Sequence, residues 1–244
     1  MDSGYYAACA GLSARMKSLE LMANNLANLN TTGYRAQDAT FRSLVSGSGR
    51  VTGNPLNQAI NDYGLLSGSR LDLSPGNLET TGNSLDLGLE GPGFFLVQRS
   101  NESLYTRNGS FAVSPKGQLV TAQGDLVLGE QGPIAVPSGA ITISGDGTLS
   151  VNGAVAGKLR LVDFSPDTNL QAVGSSYYKA PDSANAIPSA ASIRQGSLES
   201  SNVGAVTAAV GLIAIQRHAE MLQNAMNTFY TEFNRIAADD LPRI

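Results

Sequence analysis

A single histidine and a single cysteine carry the most reactive side chains of this sequence. Nucleophilic catalysis needs a Ser or Cys whose proton is taken by a neighbouring base, most often a His. His218 stands in the middle of a long helical pattern, and Cys9 stands among alanines. The residues three and four positions from His218 are all apolar: Ala214, Ile215, Met221 and Leu222. These surroundings favour a packed or partly exposed helix histidine and a small buried cysteine, so no catalytic residue is predicted.

The motifs for metals, phosphates and acid–base chemistry are incomplete. Gly145-Asp146-Gly147 has the start of a calcium loop, but the further oxygen ligands do not follow it. Gly91-Pro92-Gly93 is not followed by the Lys-Ser/Thr of a phosphate loop. Asp86 and Glu90 are better explained as solvated turn charges than as paired acids, and no Cys/His cluster with zinc spacing is present. The sequence therefore predicts no enzyme, no cofactor, no metal site and no small-molecule substrate.

The longest helical pattern lies near the C-terminus, between Val203 and Ala237. Its apolar residues recur at steps that are mostly three and four, which defines one face of a helix. They are Val206, Val210, Ile213, Met221, Ala225, Phe229, Phe233 and Ile236. Ser200, Ser201 and Asn202 precede the run and can cap its first amide groups. Such a helix would be roughly 50 Å long, which is too long for the interior of a small domain, so a partner helix is expected.

The N-terminal segment from Tyr5 to Leu29 supplies that partner. Its apolar residues alternate steps of four and three, as in a coiled-coil seam, and the pattern stops at Thr31-Thr32-Gly33, where Gly can take a left-handed cap conformation. We predict an antiparallel pair of the two helices. Its predicted assembly seam consists of Leu12, Met16, Leu19, Leu26, Val210, Ile213, Met221, Phe229 and Phe233.

Four asparagines crowd the end of the first helical pattern: Asn24, Asn25, Asn28 and Asn30. Asn is a poor helix former, and at a helix seam one amide can fix the register by finding another. The alternative is that these side chains cap a fraying helix end. Asn30 fits a cap, whereas Asn24 and Asn25 lie deeper in the pattern, and both interpretations stay open.

The middle of the chain has short apolar runs separated by turn signals. Residues 35–71, rich in Ser, Gly and Asn, are interpreted as a connector, and the polar residues 168–192 as a return segment. Turns such as Asn108-Gly109 and Asn152-Gly153 predict a meander of hairpins in a sandwich or irregular barrel. The predicted strands are Phe94–Val97, Leu104–Thr106, Phe111–Val113, Leu119–Thr121, Leu126–Leu128, Ile134–Val136, Ile141–Ile143, Leu149–Val151 and Leu159–Phe164.

The predicted fold class is mixed α and β. Long N- and C-terminal helices, paired as an α-helical assembly domain, flank a central all-β domain of short strands and hairpins. The predicted divisions are an N-terminal assembly helix over residues 1–34, a connector over 35–71, the β domain over 72–192 and a C-terminal assembly helix over 193–244. Each helix has an apolar seam that one copy does not fully cover, a layout suited to self-assembly.

Composition narrows the classes of partner. The chain has 244 residues, a net charge of −4 and no basic run, which argues against nucleic acid. One cysteine forms no intrachain disulfide, and no apolar run approaches the roughly 18 residues of a membrane span. The first residues lack the basic and apolar regions of a secretory leader, so we expect either a cytosolic protein or export without a cleaved leader.

Several motifs resemble those of the bacterial flagellar rod and hook proteins. The segment from Ala23 to Tyr34 resembles the N-terminal signature of that family, and Gly196 to Val203 resembles its C-terminal signature. Residues 91–97, 105–111 and 115–120 resemble its central β motifs, so the resemblance covers nearly the whole chain. The matching terminal residues are Asn24, Asn25, Leu26, Ala27, Asn28, Thr32, Gly33, Tyr34, Gly196, Leu198, Glu199, Ser201, Asn202 and Val203.

The resemblance implies an axial subunit of the flagellar basal body. Such subunits pass through the flagellar export apparatus without losing a leader, and they assemble with copies of themselves and with other rod proteins into a hollow rod across the periplasm. The segment from Gln216 to Met221 and the end of the chain favour the proximal rod protein over the distal rod or hook-type subunit. The alternatives from other classes are a β-domain adhesin or binding module oligomerised by its helices, and a cryptic enzyme.

Overall fold

The computed structural model describes residues 2–42, 65–166 and 168–240. The chain divides into two compact units. The helical unit comprises Met1–Leu26, Gln37–Ser69 and Ala205–Ile244, and the β unit comprises Ala27–Ala36 and Arg70–Gly204. The β unit is therefore built from two stretches of chain, one before and one after the middle part of the helical unit.

Two long helices form most of the helical unit. Helix α1 spans Asp2–Ala27 and helix α2 spans Ala205–Asp240, which confirms the prediction of a long helix at each end of the chain. Strands β1 (Gln37–Arg42) and β2 (Leu65–Leu71) pair in a two-stranded sheet. They lie at the two ends of the segment interpreted as an extended or loosely structured connector, so part of that segment forms regular strands. Residues 43–64 of that segment are outside the described part of the chain.

The β unit contains short strands and hairpins, as predicted. Its strands are β3 (Leu78–Thr80), β4 (Leu87–Glu90), β5 (Phe94–Arg99), β6 (Glu102–Thr106), β7 (Phe111–Val113), β8 (Leu119–Thr121), β9 (Leu126–Gly129), β10 (Gly132–Pro133), β11 (Ile141–Ile143), β12 (Thr148–Val151), β13 (Ala154–Lys158), β14 (Leu161–Asp163), β15 (Gln171–Val173), β16 (Tyr177–Lys179), β17 (Ile187–Pro188), β18 (Ser192–Gln195) and β19 (Ser197–Glu199). In the largest sheet the strands run in the order β15-β16-β6-β5-β9-β8-β7.

Three smaller sheets complete the unit. Strands β11, β12 and β13 form one of them, β4 pairs with β18, and β3 pairs with β19. Phe95, Leu104, Leu119, Val127 and Leu149 meet in a fully buried core, because alternate residues of each hairpin point inward. The last two pairings bring strands that follow residue 190 back to strands that precede residue 91, so the β unit closes only when both ends of its long stretch are present.

Several details of the strand prediction are wrong, and strands β3, β4, β10, β18 and β19 were also not predicted. The run Ile134–Val136 is not a strand: both side chains are buried, but Pro133 and Pro137 flank them, and only Ala135 bridges, to Gln118. Strand β13 escaped prediction because alanine and glycine have low strand propensity. Strands β15, β16 and β17 lie in the segment interpreted as a polar return. No helix within the described residues is long and apolar enough to cross a membrane.

Candidate functional site

The two terminal motifs meet inside the β unit. The amide of Gly33 donates a hydrogen bond of 2.8 Å to the carbonyl oxygen of Glu199, and the amide of Asn202 donates one of 3.4 Å to the carbonyl oxygen of Tyr34. The amide of Ala36 donates to the Asn202 side-chain oxygen at 2.7 Å. We call residues 32–36 together with residues 197–202 the terminal junction. It joins the two stretches of chain at the points where each leaves the β unit.

A buried carboxylate with two guanidinium groups forms the centre of the junction. Glu199 Oε1 accepts from Arg35 Nη2 at 2.6 Å and from the Gly76 amide at 2.8 Å, while Arg107 Nε lies 3.4 Å from Glu199 Oε2. The side chains of Arg35, Arg107 and Glu199 are 1%, 3% and 0% exposed. Charged groups taken out of water at this depth are costly unless they are paired, so each group depends on the others.

The cluster buries two cations with one anion and leaves some of their polar atoms without hydrogen bonds. Among the described residues, Glu199 is the carboxylate that forms ion pairs with both guanidinium groups. Four polar atoms of the three side chains make no hydrogen bond: Arg35 Nε, Arg35 Nη1, Arg107 Nη1 and Glu199 Oε2. Burial lowers the pKa of Arg107 to about 10, and the charge of Glu199 opposes that shift. Loss of the Glu199 charge would leave two buried cations facing each other.

Tyrosine and asparagine side chains connect the rest of the junction. The Tyr178 hydroxyl donates to the Gly33 carbonyl oxygen at 3.2 Å and accepts from the Arg35 amide at 2.9 Å. Burial raises the pKa of Tyr178 above its ordinary range. The Asn202 amide donates to the Asp72 carbonyl oxygen at 3.0 Å. Tyr178 was missed from the sequence, where its only signal was a pair of adjacent tyrosines in an otherwise polar segment.

Gly33 has a structural requirement of its own. Its φ is +67°, and a Cβ there would lie 2.3 Å from the Asn108 amide nitrogen. The Thr32 hydroxyl donates to the Asn108 side-chain oxygen at 3.0 Å, so the loop carrying Asn108 packs directly on this turn. The left-handed conformation of Gly33 is confirmed, but its role as a helix cap is wrong, because α1 ends at Ala27.

The four asparagines at and just beyond the end of α1 have different surroundings, and the register-fixing and capping roles both stay predictions. Asn25 is buried, donates to the Gln37 carbonyl oxygen at 3.0 Å and accepts from the Gln37 amide at 2.9 Å. Its side chain therefore pairs with the start of β1 as a neighbouring strand would. Asn28 accepts from the Thr31 hydroxyl at 3.0 Å, and Asn24 and Asn30 are exposed.

The remaining motif residues support the backbone around the junction. The Gly196 carbonyl oxygen accepts from the amides of Thr81 and Gly82, and the Ser201 hydroxyl accepts from the Val203 amide. Leu26, Leu198 and Val203 are half-buried, while Ala27 is exposed. These contacts are almost all with backbone atoms. The types of side chain in the two terminal motifs therefore did not indicate a site.

Within the helical unit, α1 and α2 contact each other in an antiparallel arrangement. A Cβ added to Gly211 of α2 would lie 3.0 Å from Met22 Cε of α1. Nearer the other end, Met226 of α2 lines a groove with Leu12 and Met16 of α1. Residue numbers thus rise along one helix as they fall along the other. The buried residues of α1 are mostly small or polar, namely Gly11, Ala14, Ser18 and Asn25, and Ala208 and Leu222 are buried on α2.

Met16, Ile213 and Met221 are not buried between the two helices of one copy, and the predicted assembly seam stays a prediction. These side chains are 59%, 53% and 61% exposed. Helix α2 carries apolar residues in two frames with steps of three and four, and the frame containing Ala208 and Leu222 faces inward. Val206 and Val210 are exposed with Ile213 and Met221, whereas Leu12, Leu19 and Leu26 are half-buried. Phe229 and Phe233 lie in α2, but their side chains are outside what the structure describes.

Each helix also has an open groove. The α2 groove is lined by Val210, Ile213, Ala214, Arg217, His218, Glu220, Met221 and Asn224. The α1 groove is lined by Cys9, Leu12, Ser13, Met16, Lys17 and Glu20, together with Met226. His218 is exposed and Cys9 is half-buried. Among the described residues, no group of three or more His, Cys, Asp or Glu side chains is arranged to hold a metal ion.

Three family models match the chain. Residues 6–35 match the flagella basal body rod protein model, and residues 88–151 match the D1 domain of the flagellar hook protein FlgE/F/G. Residues 194–229 match the C-terminal model of the flagellar basal body rod FlgEFG proteins. The two outer matches contain most of the terminal junction.

Curated proteins resemble the chain along most of its length. The flagellar basal-body rod protein FlgF of Escherichia coli is 35% identical over 93% of this chain and 94% of that protein. FlgF of Caulobacter vibrioides is 32% identical over 100% of both chains. The rod protein FlgG of Agrobacterium fabrum is 33% identical over 91% of this chain and 93% of its own length.

Proposed function

The chain belongs to the flagellar basal-body rod and hook protein family as a structural rod subunit, and from that premise we propose that it polymerises through its terminal helices. The product would be the hollow shaft between motor and hook. In this proposal the partners are copies of the chain, other rod proteins and, before assembly, the flagellar export apparatus. The chain would reach the basal body without cleavage of a leader.

The exposed apolar face of α2 is the observation that carries this proposal. Val206, Val210, Ile213 and Met221 remain exposed even though α1 already covers another face of the same helix. Burying a large aliphatic side chain contributes roughly 1.5–3 kcal/mol, so four of them supply a substantial part of an association free energy. The helix has 36 residues and is about 54 Å long, which leaves room for more than one neighbour.

The terminal junction supports the same proposal in a different way. The amide of Ala36 donates a hydrogen bond of 2.7 Å to the Asn202 side chain. Both residues lie close to the positions where the chain passes from the β unit into the helical unit. The junction therefore holds both connections to the helices at one place in the β unit. The two chain connections thus lie next to each other within the β unit, as the pairing of α1 with α2 requires.

We assign the proximal position in the rod on the basis of the segment from Gln216 to Met221. Identity does not choose between rod proteins, since the relatives named FlgF and FlgG match at 32–35%. Basal bodies imaged with a tag on the β unit would test this assignment. Density at the motor end of the rod is expected, and density next to the hook would contradict it.

The test of assembly uses a strain that lacks the chromosomal copy. Expression of the tagged chain should restore motility, and the protein should appear in purified basal bodies. Ile213→Asp places a charge in the exposed apolar face, and burying that charge unpaired should lower incorporation about a hundredfold. Gln223→Asp introduces the same charge at another exposed position of α2, away from the groove. This variant should be incorporated normally.

Leu26→Asp provides a second test on α1, where it should likewise block incorporation. Circular dichroism of each purified variant checks that the β unit remains folded. Normal rods with both Ile213→Asp and Leu26→Asp would contradict assembly through the helices. A closed oligomer in place of basal-body incorporation would instead favour an adhesin or binding module.

A further inference from the structure

The exposed faces of α1 and α2 carry the same short pattern of charge. On α1, Lys17 precedes Glu20 by three residues, and both are more than half exposed. On α2, Arg217 precedes Glu220 by three residues, and both are exposed. Each pair also lines the open groove of its own helix. The two grooves thus present a cation and then an anion in the same order along the chain.

An exposed methionine stands next to each charge pair. Met16 precedes Lys17 on α1, and Met221 follows Glu220 on α2. Both side chains are about 60% exposed. Methionine is apolar and flexible. Two methionine side chains that pack against each other beside the charges would therefore bury apolar surface at this contact.

The order of the charges selects one direction of packing. If α1 and α2 run antiparallel with Lys17 opposite Glu220, then Glu20 comes opposite Arg217, and both contacts are attractive. A parallel alignment in the same place would set like charges against each other, which is destabilising. The antiparallel alignment also brings the two methionines together.

This contact is not available within one copy. There, α1 packs on the face of α2 that carries Gly211, and Met226 lines the groove beside it, so the exposed face of α2 points elsewhere. We propose that α1 of one copy packs antiparallel on α2 of a second copy, with Lys17 opposite Glu220 and Glu20 opposite Arg217. The inference rests on the proposed function and names the surface and the partner through which that function is performed.

The two surfaces in this contact are different, which has a consequence for assembly. One copy uses α1 and its neighbour uses α2, so every copy retains one free surface of each kind. Heterologous contacts of this type extend into a filament when the rotation between copies does not close a ring. The charge pattern therefore provides both a direction and a register for adding subunits.

Cross-linking between two variants tests the register. In a Cys9→Ser background, cells lacking the chromosomal copy express one chain with Met16→Cys and another with Met221→Cys. Oxidised basal bodies should contain the mixed disulfide as the main product. The matched control pairs Met16→Cys with Val206→Cys, an exposed position about 22 Å further along α2, and should give little product.

Charge exchange tests the selecting interaction. Exchanging the charges on α1, through Lys17→Glu with Glu20→Lys, keeps the ion pair within the helix but creates two repulsive contacts with the neighbour. We expect the mixed disulfide to fall about tenfold. Adding Arg217→Glu with Glu220→Arg should restore it. Because the exchange preserves composition and the intrahelical pair, loss of folding is not an adequate explanation for a fall that this second exchange reverses.

The outcomes separate the inference from the function on which it rests. Basal bodies that contain the chain without the mixed disulfide, or with same-variant disulfides as the main product, overturn the inference and leave the rod function intact. A yield that charge exchange does not change also overturns it. Absence of the unsubstituted chain from basal bodies overturns the proposed function itself, and the inference with it.

Discussion

Glu199 accepts a hydrogen bond from Arg35 at 2.6 Å, although 164 residues separate the two along the chain. Arg35 belongs to the segment that enters the β unit and Glu199 to the strand that leaves it. Their contact is almost fully buried, so it excludes the solvent that would otherwise weaken it. The pair links the beginning and the end of the β unit, and its loss should be felt at both.

Glu199→Gln should strongly destabilise the β unit. The amide keeps the shape of the side chain but removes the charge that faces Arg35 and Arg107, at a cost of about 3–5 kcal/mol. Urea unfolding followed by tyrosine fluorescence measures the change. Glu102→Gln, which breaks an exposed pair with Lys179, should cost less than about 1 kcal/mol, and equal losses in the two variants would refute the role of burial.

Gly33→Ala should lower the free energy of unfolding of the β unit more than Gly→Ala at a glycine with open space around it. A side chain at φ +67° is strained, and its Cβ would lie 2.3 Å from the backbone of Asn108. Gly124 has φ +88° with nothing within 4 Å, so Gly124→Ala isolates the backbone strain, which costs about 1–2 kcal/mol. We expect Gly33→Ala to exceed that cost clearly in urea unfolding. A similar loss at both positions would mean that the Asn108 loop moves away.

Hydrophobic patterns were sufficient to predict the helices and most hairpins, because they reflect local burial. They did not identify the inner face of α2, since Ala208 and Ile213 belong to two frames with the same spacing, and only the partner decides which is covered. The partner's own buried positions, such as Gly11 and Ser18, are small or polar and carry no hydrophobic signal.

The terminal junction shows a second limit of what the sequence alone predicts. The motif residues Gly33, Glu199 and Asn202 were identified by resemblance, but their partners depend on contacts between distant parts of the chain. Arg107, in the β6–β7 loop, and Tyr178, in β16, complete the junction. No local sequence pattern predicts either contact. Long-range pairing of this kind is visible only once the strands are in place.

The β unit should lose stability at alkaline pH through its buried tyrosines. Burial raises the pKa of Tyr34 from 10.0 to about 12. Stability from this group is fully present below pH 10, the unfolded value, and is lost as the pH rises towards 12. Tyr34→Phe should therefore reduce the fall in unfolding free energy across this window. Parallel pH profiles for the unsubstituted chain and Tyr34→Phe would contradict the assignment.

Helices α1 and α2 approach each other closely at Gly211 of α2. A methyl group there would lie 3.0 Å from the flexible end of Met22, so Gly211→Ala should be neutral or slightly stabilising, since alanine gains up to about 1 kcal/mol of helix propensity. Gly211→Leu should instead force the helices apart and cost about 1–3 kcal/mol.

Thermal unfolding followed at 222 nm measures the change. Ala214→Leu adds the same kind of bulk at an exposed position of α2 and should have little effect on a single copy. Met22→Ala should rescue Gly211→Leu, because it vacates the space that the new side chain needs. If the rescue fails while Ala214→Leu is tolerated, the helices do not meet at this position, and the antiparallel pair must be aligned differently.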